Sequence, residues 1–84
     1  MERLTYQGPQ GWQVEEGRLA EALERLARFE TAYEGILREQ EELAAIMEPL
    51  KAAGRQKSAQ FRELLGKKLT NQQLLLRLEF AGIS

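Results

Sequence analysis

The most constraining feature of this sequence is a long heptad pattern in its middle. Ten positions follow one another at alternating spacings of three and four residues, and nine of them are apolar or aromatic. A pattern sustained over this length is typical of a helix that packs against other helices along one face. The ten positions, called the seam here, are Leu19, Ala22, Leu26, Phe29, Tyr33, Ile36, Gln40, Leu43, Met47 and Leu50.

The composition around the seam predicts one long helix over residues 15–53. Glu, Ala, Leu and Arg dominate this stretch, and all four are good helix formers. Pro49 removes a backbone donor, so we expect a kink near Met47. Gly54 follows as a residue suited to the position just beyond a helix end.

Before the long helix, residues 1–14 are predicted to form a β-hairpin. Two short segments rich in aromatic and branched residues flank Gly8-Pro9-Gln10-Gly11, which has the composition of a turn. An isolated two-stranded hairpin is unstable in water, so it must dock on something. Tyr6 and Trp12 are the large side chains expected to dock it.

After Gly54, the sequence predicts two short helices over 58–68 and 71–81. Ser58 can cap the first, and Thr70 and Gln73 have the spacing of a capping box for the second. Gly82 can end the second helix, with Ile83 as the apolar residue beyond it. The fold class is therefore predicted as mainly α: a long kinked helix, two short helices folded back on it, and an N-terminal hairpin, all in one small domain of 84 residues.

The seam also predicts self-association. The two short helices can cover only about half of a helix this long, and a contiguous exposed apolar surface usually marks an interface. We therefore expect a homo-oligomer, most simply a dimer, that forms a helical bundle; the alternative is that the seam packs only on the chain's own helices. Gln40 is the one polar seam residue and can fix register. The predicted interface residues are Leu19, Leu26, Phe29, Tyr33, Ile36, Leu43 and Met47.

Charge is divided between the two halves of the chain, although the net charge is only −1. Residues 15–49 hold ten Glu and four Arg, whereas residues 50–84 hold seven basic and two acidic side chains. One interpretation is structural: the basic half packs along the acidic half of the same chain or of a partner chain. The other is a phosphate-binding site in segment 51–68, near the start of a helix. Its candidate residues are Arg55, Lys57, Arg62, Lys67 and Lys68.

Composition argues against several kinds of protein. The chain has no His, no Cys and no Asp, so it lacks the usual general base, the usual zinc ligands and the acidic loops that hold calcium. We therefore expect no catalytic residues, no metal site and no cofactor. No apolar run approaches the length of a membrane span, and the first residues lack a signal-peptide core. A cytoplasmic protein is expected.

Two stretches resemble small uncharacterised proteins from prophages and mobile elements of Gram-positive bacteria. One is the opening Met1–Tyr6, MERLTY; the other is Phe61–Asn71, FRELLGKKLTN, with the Leu-rich stretch and Gly82-Ile83 that follow it. The resemblance covers about a third of the chain. It implies a phage-related accessory protein, a class that includes inhibitors of bacterial defence, but it assigns no functional residue.

From these patterns, the predicted function is non-enzymatic binding. The chain is expected to act as a homo-oligomeric helical adaptor that presents a surface to a protein partner. The alternative is a binder of a phosphate-bearing ligand, either a nucleotide or a nucleic acid, through segment 51–68.

Overall fold

A computed structural model describes all residues from 1 to 84. It contains two strands and two helices: β1 Thr5–Gly8, β2 Gly11–Val14, α1 Leu19–Ala52 and α2 Ala59–Phe80. The helices hold about two thirds of the residues, which confirms a mainly α chain with an N-terminal hairpin. The chain divides into two compact units, residues 1–34 and residues 35–84, and each has its own packing.

The hairpin in the first unit forms as predicted. β1 and β2 are antiparallel, with Thr5 opposite Val14 and Gly8 opposite Gly11. Pro9 and Gln10 connect the strands, because Pro presets the backbone angle that a tight turn needs. Gly11 has φ +108°, a left-handed conformation that favours glycine over residues with a side chain.

Helix α1 begins at Leu19, four residues later than the predicted start at 15. Glu15 and Glu16 form a turn instead, in which the Arg18 amide donates to the Glu15 carbonyl at 3.0 Å. The reason is Gly17, whose φ of +87° lies outside the helical region.

Both helices end at a glycine, as predicted. At the end of α1, the Arg55 amide donates to the Leu50 carbonyl at 2.8 Å, and Gly54 has φ +71°. The end of α2 repeats this arrangement, with Gly82 at φ +89° and Ile83 as the next donor. This is the Schellman motif, which satisfies carbonyls that the helix leaves free. Helix α1 continues through its proline to Ala52, and the expected kink stays a prediction.

The two short C-terminal helices of the prediction are a single helix, α2. Ser58 caps it as expected and accepts from the Phe61 amide at 3.2 Å. The predicted break at residues 69–70 is wrong because the polar residues there are satisfied inside a continuous helix. The Thr70 hydroxyl donates to the Gly66 carbonyl at 3.0 Å, and the Asn71 side chain donates to Glu39 at 2.6 Å. Neither side chain is needed as a cap.

The core of the second unit lies between α2 and residues 35–52 of α1. Leu43, Met47 and Phe61 are buried there, and Met47 is only 2% exposed. The two stretches run antiparallel, since the Gln40 side chain donates to the Lys68 carbonyl at 3.1 Å on the far side of the connecting loop. The seam therefore has an intrachain partner in this unit. In the first unit, Leu4 is the one buried residue.

Candidate functional site

The largest exposed apolar feature of the first unit lies along α1. Leu19, Leu23 and Leu26 are spaced four and three residues apart, so they share one helix face. Leu19 is 60% exposed and Leu26 is 53% exposed. Within this unit only the short hairpin is available to pack on α1, and it covers little of this face. We call the exposed residues Leu19, Leu23, Leu26 and Phe29 the N-terminal stripe.

A groove of about 620 Å³ runs between the N-terminal stripe and the chain that leads into β1. Leu4 and Arg3 form one wall, and Ala22, Leu26 and Phe29 form the other. Phe29 also stacks on Tyr33, with ring centroids 6.3 Å apart and planes 11° from parallel. The groove is therefore apolar and open along the side of the stripe.

Within the chain, Tyr6 and Trp12 do not dock the hairpin, so docking through these two residues stays a prediction for a partner chain. Trp12 is 60% exposed and Tyr6 is also exposed. The register explains why: Gln7 lies opposite Trp12, so Trp12 and Tyr6 point to opposite faces of the hairpin and cannot dock on one surface together. The buried residue is Leu4. The Arg3 guanidinium lies 4.7 Å from the centre of the Trp12 ring, a cation–π contact.

A charged contact ties the N-terminus to the start of α1. Arg18 forms a salt bridge with Glu2, and Arg25 donates to the Glu2 carbonyl at 2.6 Å. The hydrogen bond from Arg18 holds the pKa of the Glu2 carboxyl below its ordinary value, and the attraction between the two charges acts in the same direction. Glu2 and Glu21 in turn raise the pKa of Arg18. These contacts hold the chain before β1 beside the N-terminal stripe.

The predicted interface residues are split by the structure. Leu19, Leu26 and Phe29 are exposed, while Tyr33 and Ile36 are half-buried. Leu43 and Met47 are buried within the second unit and are not available to a second copy, so the prediction is corrected for these two. Their burial against α2 follows from the antiparallel packing of α2 along the end of the seam. The available part of the predicted interface is its N-terminal part.

A second exposed apolar face lies on α2 and was not predicted. Leu65, Leu69 and Leu76 are all exposed and are spaced four and seven residues apart, so they line one face of the helix. The spacing is visible in the sequence. The predicted break at residues 69–70 hid it, because it placed these residues on two different helices. We call these three residues the outer α2 stripe.

The five candidate anion-binding residues are not brought together. Arg55, Lys57, Arg62 and Lys67 are exposed, Lys68 is half-buried, and none of the five forms a salt bridge within the chain. Arg62, Lys67 and Lys68 point in three directions, since each residue turns the helix by about 100°. The one groove beside Lys67 is also lined by Glu39 and Glu63. The geometry therefore lacks a pocket with converging positive charges.

The remaining chemistry of the surface is plain. No group of three or more His, Cys, Asp or Glu side chains is placed to hold a metal ion. Every ionisable side chain is at least partly exposed. Neither helix combines the length and the apolar character needed to cross a membrane.

Comparison with known proteins gives no relative from which a role could be inferred. No protein-family model, curated protein or solved structure matches this chain.

Proposed function

We propose that this chain is a non-enzymatic helical binding protein that self-associates through the N-terminal stripe. The single observation that carries the proposal is the exposure of Leu19, Leu23 and Leu26 on one helix face. Contiguous apolar surface of this kind is costly to leave in water and usually marks an interaction site. The open groove lined by Leu4, Ala22 and Phe29 extends the same surface sideways.

A second copy is the partner of choice because it carries the same exposed stripe and is always present at the same concentration.

Sedimentation or light scattering on the purified chain tests the proposal directly. We expect an assembly larger than 9.6 kDa at micromolar concentration. The double variant Leu23→Glu with Leu26→Glu should be monomeric, because it places charge in the centre of the stripe. The control, Thr31→Glu with Ala32→Glu, adds the same charge to exposed positions of α1 away from the stripe. A wild-type monomer, or equal loss of assembly in the two variants, would contradict the proposal.

The alternative function is binding of a phosphate-bearing ligand through segment 51–68. The observation that favours it is that the basic side chains of this segment have no acidic partner within the chain. Retention on a nucleic-acid column, weakening steeply with salt, would support it. The variant Arg55→Gln with Lys57→Gln should then lose retention while keeping its fold. The phage-related origin implied by the sequence resemblance stays a prediction.

A further inference from the structure

The chain has two exposed apolar surfaces, and self-association has to choose between them. One is the N-terminal stripe on α1, and the other is the outer α2 stripe of Leu65, Leu69 and Leu76. Three pairings of two copies are therefore available: stripe on stripe, α2 on α2, and stripe on α2. The two stripes have similar apolar residues, so the chemical character of those residues does not distinguish the three pairings. The charged side chains around each stripe do.

The surroundings of the N-terminal stripe are acidic on balance, although Arg3 and Arg25 line the groove beside it. Residues 1–34 hold seven Glu and four Arg. Glu30 lies four residues after Leu26 and continues the stripe, and Glu34 lies one further turn along the helix. Both are exposed, and neither forms a salt bridge within the chain. The negative charge at this end of the stripe is therefore left without a partner.

The surroundings of the outer α2 stripe are basic. Helix α2 holds four basic and two acidic side chains. Arg62 lies three residues before Leu65 and continues the stripe. Arg77 lies at the edge of this face, about 100° around the helix from Leu76, and the acidic Glu79 lies three residues after Leu76. Both Arg side chains are exposed and form no salt bridge within the chain. This surface is complementary in charge to the N-terminal stripe.

We propose that the N-terminal stripe of one copy packs against the outer α2 stripe of a second copy. This inference rests on the proposed self-association and names the surface that the stripe binds. Stripe on stripe would bring two acidic surfaces together and α2 on α2 would bring two basic ones, whereas the mixed pairing joins opposite charges. Each chain carries both surfaces, so the same contact can form in either direction between two copies.

Burial of apolar surface favours the same pairing. A contact between two copies of one stripe would leave the other apolar stripe in water, whereas the mixed pairing covers a stripe of each kind.

A charge-swap experiment tests this pairing. One variant carries Glu30→Arg with Glu34→Arg, and the other carries Arg62→Glu with Arg77→Glu. Each alone places like charges across both contacts of its dimer, and we expect each to associate at least about tenfold more weakly than the wild type. In an equimolar mixture, the two variants can bind each other. One contact then joins the two altered surfaces, which carry opposite charges, and the other joins the two unaltered surfaces. Sedimentation should therefore show association restored to near the wild-type level.

Each other outcome counts against a particular pairing. In stripe-on-stripe or α2-on-α2 association, each variant alone would still bring like charges together, as the wild type does, so neither variant would associate more weakly and only the mixture would gain. Two variants that associate like the wild type, or two weakened variants whose mixture stays weak, overturn the proposal. The control Glu41→Arg with Glu42→Arg changes net charge equally at two exposed positions of α1 outside both stripes and should associate normally. Helical circular dichroism of each variant shows that it is folded.

A monomeric wild-type chain would contradict the proposed function itself, which requires self-association. This result is measured on the wild type alone. A failure of the proposed pairing is measured on the variants, and only when the wild type associates.

Discussion

At the scale of single residues, side chains at equivalent positions of the heptad pattern differ in burial. Leu26 and Met47 both occupy the seam, yet one is 53% exposed and the other 2%. The spacing identifies residues that face a partner, but a seam residue gains the same from a helix of its own chain as from a second copy. Which partner covers it depends on where α2 packs. This is why the sequence predicted the seam but not which of its residues remain available.

Phe61→Ala should destabilise the chain strongly. The Phe61 side chain is 6% exposed, and replacing a buried Phe by Ala costs about 3–5 kcal/mol in lost burial and cavity formation. The matched control is Phe80→Ala, because Phe80 lies on the same helix but is 82% exposed. It should change the free energy of unfolding by no more than about 0.5 kcal/mol. Urea denaturation measures both, and equal losses would contradict the assigned core.

The Glu2 carboxyl should titrate at lower pH than an ordinary glutamate. Its pKa is lowered from 4.5 by the hydrogen bond and the charge of Arg18. A lowered pKa in the folded state means that this contact stabilises the fold above the unfolded pKa and is lost as pH falls through the folded pKa. NMR titration should show the Glu2 pKa rising toward its ordinary value in Arg18→Gln. Arg3→Gln should leave it unchanged, because Arg3 contacts Thr5 instead.

At the scale of elements, local sequence signals predicted where helices and strands start and end, but they did not predict that α2 is one continuous helix. The hairpin turn, the Ser58 cap and the Gly54 and Gly82 ends all follow from short-range preferences of Pro, Ser and Gly. The predicted break at residues 69–70 came from the same kind of signal and is wrong. Asn71 contacts Glu39 on α1, a tertiary contact that no local pattern contains. The α2 stripe could be recognised only once the two predicted helices were one.

Gly66→Ala should stabilise α2. Gly66 lies inside the helix, and a methyl group there would meet no atom within 4 Å. Because Gly costs helix interiors conformational entropy, the change should raise the free energy of unfolding by about 0.5–1 kcal/mol. Gly54→Ala is the opposite case, since its φ of +71° costs an L-residue about 1–2 kcal/mol. Thermal denaturation of the two variants should shift in opposite directions.

At the scale of the whole molecule, the sequence predicted that charge is divided between the two halves, but not which contacts the charged side chains make. The basic half was expected either to pack along the acidic half or to bind phosphate, and α2 does pack along residues 35–52 of α1. All three salt bridges lie within residues 1–34, and none joins the two halves. The polar contacts between α2 and α1 use the amides Gln40 and Asn71 instead. The charges therefore remain on the surface, where they can select a partner.

Thermal stability should depend on protein concentration. If association is part of the folded state, mass action stabilises it, and a tenfold rise in concentration adds about 1.4 kcal/mol per mole of dimer. The unfolding midpoint should then rise by a few degrees for each tenfold step. In Leu23→Glu with Leu26→Glu, the midpoint should be lower and independent of concentration, because the apolar contact between copies is lost. Thr31→Glu with Ala32→Glu should keep the dependence. Scanning calorimetry over about a hundredfold range of protein concentration measures this dependence. A wild-type midpoint that stays constant would contradict the prediction. It would mean that the buried residues of one chain, Leu4, Leu43, Met47 and Phe61, stabilise the fold without a second copy.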